Sequence, residues 1–427
     1  MNIKSIVLSI VVAVALSACG SISSSTATRS SGVAPASTKS VPSDTSGKSV
    51  PIVFPKIDRH PPAGDFGRGK LTALPSYNPD SGDYGQVDLR GYDLSGLDLR
   101  NSLKDLSYAD FDDKTIWPPA DKMPAGFDWK QIMNLGKNPG LTLQTLHGEG
   151  ITGKNIGIAI IDQSLLVDHQ EYSSQIRLYE ETEDVQDEPS MHGPAVASIA
   201  VGKTVGVAPE ADLYFIANNM CNLGTFESNN FACLAKSVLR IIEINRQLPS
   251  DRKIRVLSIS VGWGSQSMGY AEITSAVQKA KDAGIFIVCS SESDIYGFQF
   301  QAMGRAPLAD PDKFESYEPG LFWAKDFFQG YSLQNTLLVP MDSRTTASPT
   351  GVNDYVFYRE GGWSWSIPYI AGVYALAAQV KPDITPDVFW STALKTGRTI
   401  EISHGGKQYS FGAILDPVAL IHTLQET

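Results

Sequence analysis

The sequence predicts an α/β fold: a doubly wound, mostly parallel sheet with helices on both faces, preceded by a small β-rich N-terminal segment. Two observations predict the sheet. Near-continuous apolar runs such as Asn155-Ile156-Gly157-Ile158-Ala159-Ile160-Ile161-Asp162 recur, as expected of strands buried on both faces. Between them lie segments whose apolar residues repeat at helical spacing, and alternating strand and helix argues for crossover units. A third observation, an apolar residue at every fifth position from Leu89 to Leu99 and again from Leu106 to Ile116, sets a separate small element ahead of the sheet.

Residues 1–19 read as a targeting segment, with Lys4 near the start, an apolar run from Ile6 to Leu16, and Leu16-Ser17-Ala18-Cys19 at the end. The run is too short to span a membrane and has the shape of a signal-peptide core. Its ending resembles the lipobox of bacterial lipoproteins. That resemblance implies lipidation of Cys19 and a chain held at a membrane outside the cytoplasm. Residues 20–55 are rich in Ser, Thr, Pro and Ala without apolar period, so they are expected to form a flexible, disordered tether. Within residues 56–140, Leu89, Leu94 and Leu99 recur every five positions, and after a two-residue slip so do Leu106, Phe111 and Ile116. This period resembles pentapeptide repeats, which coil into a square β-helix. Such units need stacked neighbours to form a core, and these amount to little more than one coil. They are expected to pack against the following domain, and a role as a removable pro-segment stays open. Trp117-Pro118-Pro119 closes the element.

Residues 141–427 carry the sheet. After the run ending at Asp162, further strands are expected at Ala211–Ala217, Ile254–Val261, Ile285–Ser290 and Leu337–Val339. Leu234, Val238 and Ile241 share one helical face. Ile273, Ala276, Val277 and Ala280 share another, with Gly284 as its stop. In open parallel sheets, sites form beyond the carboxyl ends of the strands, and Asp162 stands at such an end. The last long apolar stretch, Ile367 to Val380, reads as a buried helix that tolerates Pro368 in its first turn. Ser364 lies just ahead of it, in the positive field of the helix start.

Three stretches combine into a chemistry. Asp162 ends the first strand, His192 opens the small apolar helix beginning His192-Gly193-Pro194-Ala195-Val196, and Ser364 precedes the last long helix. A serine hydroxyl is a poor nucleophile until a neutral imidazole accepts its proton. A buried carboxylate holds that imidazole in the required tautomer and stabilises the imidazolium.

The chain from about residue 141 resembles the subtilisin-like serine proteases. Gly150-Ile151-Thr152-Gly153-Lys154-Asn155 with the strand ending at Asp162 looks like the aspartate box of that family. His192-Gly193 followed by Gly206-Val207-Ala208-Pro209-Glu210-Ala211 looks like the histidine box and the strand after it. Ser364 with Pro368 and Ala371-Gly372 resembles the serine box, and Phe411-Gly412-Ala413-Ile414-Leu415-Asp416-Pro417 the closing segment. The order Asp, His, Ser is that of subtilisin. The resemblance implies a serine endopeptidase with Asp162, His192 and Ser364 as its triad and a polypeptide substrate. It also implies that Ser260, Val261 and Gly262 pair with the substrate backbone. No cofactor is implied for catalysis. Members of the family often bind calcium, and no loop here presents a recognisable ligand set, so no metal site is assigned.

The departures from the family pattern carry weight. Gln163-Ser164 follows the aspartate, Pro194 follows His192-Gly193, and Trp363 and Trp365 flank the serine. Ser291 stands where the family has the asparagine that donates to the oxyanion. Losing such a donor costs about 10²–10³ in kcat in a subtilisin. A peptide-binding or regulatory protein that keeps the fold and has lost fast catalysis is therefore the second reading. His169 is a competing base, seven residues after Asp162, and is expected on the loop leaving the strand. His60, His147, His404 and His422 show no metal-ligand spacing. Cys221 and Cys233, twelve apart, are candidates for a disulfide whose geometry sequence does not supply. Cys289 reads as a small buried residue. Glu180, Glu181, Glu183, Asp184, Asp187 and Glu188 read as a solvated acidic loop rather than a cation site. With 35 basic and 46 acidic residues the formal charge is −11, which disfavours nucleic acid as a partner. The sequence sets no oligomeric state.

Overall fold

A computed structural model describes residues 52–185, 188–222 and 229–427. The expected signal segment, Cys19 and nearly all of the expected tether lie outside the described residues. The buried runs form a six-stranded, wholly parallel sheet. Its order is Lys56–Ile57, Ile176–Glu181, Asp212–Ala217, Gly157–Asp162, Ile254–Ile259 and Phe286–Cys289. Gly157–Asp162 and Asp212–Ala217 are buried at every position. That is the cost-free arrangement only for a strand with helices over both faces, and it explains why these runs carry almost no polar residue.

Helices cover the sheet. Phe231–Gln247 buries Leu234, Val238 and Ile241, and Tyr270–Asp282 buries Ile273, Ala276, Val277 and Ala280, the two faces read from the sequence. Gly284 follows in the left-handed region at φ 75°, where a Cβ would be strained. His192–Val201 and Trp363–Val380 are hydrophobic all round and buried together in the main core, as such helices must be.

Two smaller sheets were not legible. The segment Leu337–Val339 belongs to Thr336–Pro340 in a separate five-stranded sheet with Tyr317–Pro319, Gln299–Arg305, Lys407–Ile414 and Arg398–His404. A four-stranded sheet runs Arg344–Ala347, Tyr355–Tyr358, Ala109–Asp112, Val87–Asp88. It joins residues placed in two successive domains by the sequence, and Phe54–Thr427 forms one compact unit. In the N-terminal part, Val87 pairs parallel with Ala109, Gly69 with Tyr92, and Asp93 bridges Ile116. Leu89, Leu94, Leu99, Leu106 and Phe111 all point into one apolar cluster with Tyr355, Phe357 and Val205. Ile116, the last member of the period, is 55 % exposed.

The acidic stretch needs correction. Glu180 and Glu181 end a strand of the main sheet. Glu180 pairs with Lys56 at 2.7 Å and Arg240 at 2.9 Å, and Glu181 pairs with Arg59 at 2.8 Å. Three basic side chains distant in sequence draw these two carboxylates into partly buried ion pairs, a juxtaposition that spacing along one stretch does not reveal; Glu183 and Glu188 are exposed, as expected of a solvated loop, and Asp187 lies outside the described residues. Cys221 and Cys233 are joined in a disulfide with Cα atoms 6.1 Å apart.

Candidate active site

Asp162 and Ala217 are register partners at the carboxyl ends of adjacent parallel strands. The site is built there. Asp162 is 9 % exposed, and its Oδ1 lies 2.6 Å from His192 Nδ1 while also accepting the Gln163 N–H at 2.8 Å. A carboxylate so placed fixes the imidazole tautomer with the proton on Nδ1, leaving Nε2 free to accept one. His192 is the first residue of its helix, as expected.

The close approach of that helix to the turn after Asp162 depends on Gly193. A Cβ at this position would lie 2.7 Å from Ser164 O and nearer still to Gln163 O. Ser190 N–H in turn donates to Ser164 Oγ at 3.1 Å and Ser164 Oγ donates to Glu188 O at 2.7 Å. The turn and the entry to the histidine helix are thus tied together, and the Gln163-Ser164 departure serves that tie.

Ser364 lies within the first turn of Trp363–Val380, one residue past the helix start, rather than ahead of it. Trp363 and Trp365 are both helical, so the helix begins four residues earlier than its apolar run suggests. At this position the Ser364 N–H has no intrahelical acceptor and faces outward with the positive end of the dipole. Its hydroxyl is 3.4 Å from Ser260 O, and Ser260 Oγ donates to Ser364 O at 3.2 Å. Among the described residues no hydrogen bond joins Ser364 to His192. Catalytic hydrogen bonds are often long before substrate binds. The two helices are brought together otherwise: Trp365 lies 5.3 Å from the His192 ring. Gly372 allows the serine helix to pass Val207, where a Cβ would meet the Val207 Cβ at 2.5 Å.

Ser260, Val261 and Gly262 leave the end of the strand Ile254–Ile259. Val261 O accepts the Ser290 N–H at 3.2 Å, so one edge of this segment is already used. Ser291 is 6 % exposed, and its hydroxyl donates to Trp263 O at 2.9 Å and accepts the Trp263 N–H at 2.8 Å. The hydroxyl is occupied by the backbone of the segment beside it, and Trp263 had no signal in the sequence for this role.

The loop that delivers Ser364 is pinned by a residue the sequence did not flag. Asp342 Oδ1 accepts the Gly361 N–H at 2.8 Å and Oδ2 the Leu321 N–H at 2.9 Å. Burial pushes its carboxyl up to about 6 against these bonds.

The other candidates are accounted for. His169 is fully buried, with Nε2 2.9 Å from Asp354 O and Nδ1 accepting the Glu171 N–H at 3.2 Å. Burial lowers its pKa, so it is a neutral structural imidazole. His60 meets Asp168, His147 meets Val207 O, His422 meets Glu149 and His404 stacks on Phe328. Burial pushes the Cys289 thiol far up, which makes it inert. Trp363 donates to Gln301 at 2.7 Å and packs on Phe300 and Phe322, so it serves packing. Among the described residues no group of three or more His, Cys, Asp or Glu could hold a metal ion. Glu180 and Glu181 are committed to basic side chains.

Residues 153–318 match the sequence pattern of the subtilase family, Peptidase S8. The chain is similar to the subtilisin-like protease PopC of Myxococcus xanthus (strain DK1622), 24 % identical over 294 residues, which is 59 % of this chain and 58 % of PopC. The chain thus spans less than two thirds of that relative. Among solved structures it is similar to the prenylagaramide maturation protease PagA, with a TM-score of 0.44 and 16 % identity over 66 % of this chain and 98 % of PagA. It is also similar to the PatG macrocyclase domain, with a TM-score of 0.43 and 14 % identity over 67 % of this chain and 95 % of that domain.

Proposed function

We propose that this chain is a subtilisin-like serine endopeptidase that cleaves peptide bonds through an acyl-enzyme, with Asp162, His192 and Ser364 as its triad. The observation that carries the reading is the 2.6 Å contact between His192 Nδ1 and Asp162 Oδ1 at the carboxyl end of a parallel sheet, with the first turn of the Ser364 helix packed beside the imidazole. The match of residues 153–318 to the subtilase family supports it; Ser364 lies outside that stretch.

In this reading Ser364 Oγ turns from Ser260 O to His192 Nε2, loses its proton there and attacks the substrate carbonyl. His192 then protonates the leaving amine, and Asp162 keeps the imidazole oriented and stabilises its charged form. The Ser364 N–H at the helix start donates to the oxyanion. Ser291, bonded both ways to Trp263, would have to give up those bonds to act as a second donor. Slow turnover is therefore the expectation. Ser260 to Gly262 receives the extended substrate by strand addition.

The second reading is a peptide-binding or regulatory protein with weak or no catalysis. It is favoured by the occupied Ser291 hydroxyl and by the absence, among the described residues, of a hydrogen bond between Ser364 and His192. A fluorophosphonate probe separates the two. Labelling of the wild-type chain that is lost in Ser364→Ala and in His192→Ala supports the peptidase. A folded wild-type chain that stays unlabelled supports the second reading.

We further propose that Cys19 is lipidated and holds the enzyme at a bacterial membrane outside the cytoplasm, on the resemblance of Leu16-Ser17-Ala18-Cys19 to a lipobox. Among the described residues no helix is long and apolar enough to cross a membrane. Growth with a clickable palmitate should label the wild type and leave Cys19→Ser unlabelled; equal labelling of both would refute the anchor.

A further inference from the structure

We infer that residues 56–117 are a permanent part of the active centre rather than a removable pro-segment, with Asp110 and Arg90 as positioning residues for the groups that frame His192 and Ser364. The catalytic consequence rests on the peptidase reading above; the structural one does not.

A pro-segment that is cut away leaves a complete fold behind, and this region cannot be taken away so cleanly. Lys56–Ile57 is an edge strand of the main sheet, in register with Leu178 and Tyr179. Ala109–Asp112 lies in the interior of its sheet, with Val87–Asp88 on one side and Tyr355–Tyr358 on the other. Phe111 stacks on Phe357 at 5.1 Å between centroids. Removing the region would open a strand edge and expose the apolar face of Tyr355 and Phe357, both liabilities in water.

The strand Tyr355–Tyr358 leads directly into the loop that delivers Ser364, and the N-terminal region holds that loop. Asp110 Oδ1 accepts the Arg359 N–H at 2.7 Å, and Arg359 Nε donates to Ser107 O at 3.0 Å. Tyr84 OH donates to Glu360 O at 2.8 Å. With Asp342 on Gly361, consecutive positions of the loop are fixed from opposite sides of the chain.

A second line of contact reaches the imidazole. The Arg90 guanidinium, held by Asp88 at 2.7 and 2.8 Å, lies over the Tyr358 ring at 5.2 Å and donates to its hydroxyl at 3.3 Å. Tyr358 meets Trp365 edge-on at 5.2 Å, and Trp365 lies 5.3 Å from His192. Among the described residues the Trp365 indole N–H has no hydrogen-bond partner, so its orientation depends on the rings packed around it, Tyr358 among them. Asp162 fixes His192 through one nitrogen; Trp365 bounds the ring on its flank.

The test uses the purified chain in three measurements. The first is the intact mass of the fluorophosphonate-labelled species. The second is amide exchange across residues 355–366 in Asp110→Ala, Asp110→Asn, Arg90→Met and Arg90→Lys. The third is the pH profile of the labelling rate. The labelled species is expected to retain residues 56–117. Exchange should speed up by about tenfold or more in Asp110→Ala and Arg90→Met. Asp110→Asn keeps a carbonyl acceptor for the Arg359 N–H and should retain protection, and Arg90→Lys should retain part of it. Labelling should slow about tenfold in Arg90→Met with a displaced midpoint for the base, as expected for a misplaced imidazole. A labelled species beginning beyond residue 117, or equal exchange in all four variants, overturns the inference. If the wild type takes no label, the peptidase reading falls while the exchange measurement still decides the scaffold. If Asp110→Ala does not fold, the comparison of Arg90→Met with Arg90→Lys decides it.

Discussion

Gly193→Ala is the sharpest probe of how the site is held. The added methyl would sit 2.7 Å from Ser164 O, 0.7 Å inside the 3.4 Å at which ordinary contact begins, and closer still to Gln163 O. Both obstacles are backbone oxygens of the turn that follows Asp162, and that turn is itself bonded to Ser190 and Glu188. Neither can rotate aside, so the histidine helix must back away from the strand end by a distance approaching 1 Å. The bond from His192 to Asp162 spans this same gap. Misplacing a catalytic group by about 1 Å costs about 100-fold in rate, and overpacking of this kind costs about 1–3 kcal/mol in stability. The assay is the second-order rate constant for fluorophosphonate labelling, alongside a thermal melt. Gly148→Ala serves as control, since among the described residues nothing beyond its own helix and chain neighbours lies within 4 Å of its added Cβ. A Gly193→Ala chain that melts like the wild type and labels within about threefold of it would refute the account.

Other outcomes follow from the same geometry. Asp162→Asn should leave the fold intact and lower the labelling rate by about 10⁴, the loss expected when the imidazole tautomer is wrong; a change of less than tenfold would remove Asp162 from the triad. Cys221→Ser with Cys233→Ser should lower stability by about 3 kcal/mol, the chain-entropy value for a loop of this length, read as a shifted denaturant midpoint. Burial raises the Asp110 carboxyl to about 7 and the Asp342 carboxyl to about 6. Their folded pKa values exceed the unfolded ones, so their contribution is full below about pH 4 and is lost as pH rises through 6 and 7. Tm should therefore fall across that window and Asp110→Asn should flatten the fall; an unchanged slope would refute it. Iodoacetamide at neutral pH should leave native Cys289 unmodified, and rapid alkylation with loss of serine labelling would contradict its burial.

Four of the six strands of the parallel sheet and its covering helices were legible because burial on both faces forces a local signature, runs with few polar residues broken by helical periods; the edge strand Lys56–Ile57 and the half-polar Ile176–Glu181 lack it. Asp162 at a strand end and His192 at a helix start were legible for the same reason, as polar residues at the limits of apolar segments. The start of the serine helix was not. Trp363 and Trp365 interrupt the apolar period, and it is their packing against Phe300, Phe322 and Tyr358 that extends the helix backwards past Ser364.

The sequence by itself determined the α/β class, the strand that ends in Asp162 and the helix that begins with His192. Those are properties of local patterning, where each residue's neighbours in sequence are also its neighbours in space. The tertiary structure alone decided the rest. It set the union of residues 87–112 with 344–358 in one sheet, the capture of the Ser291 hydroxyl by Trp263, the ion pairs that absorb Glu180 and Glu181, and the acids that pin the loop before Ser364. Each of these joins residues far apart in the chain through hydrogen bonds and burial, and such contacts leave no period for a sequence to display.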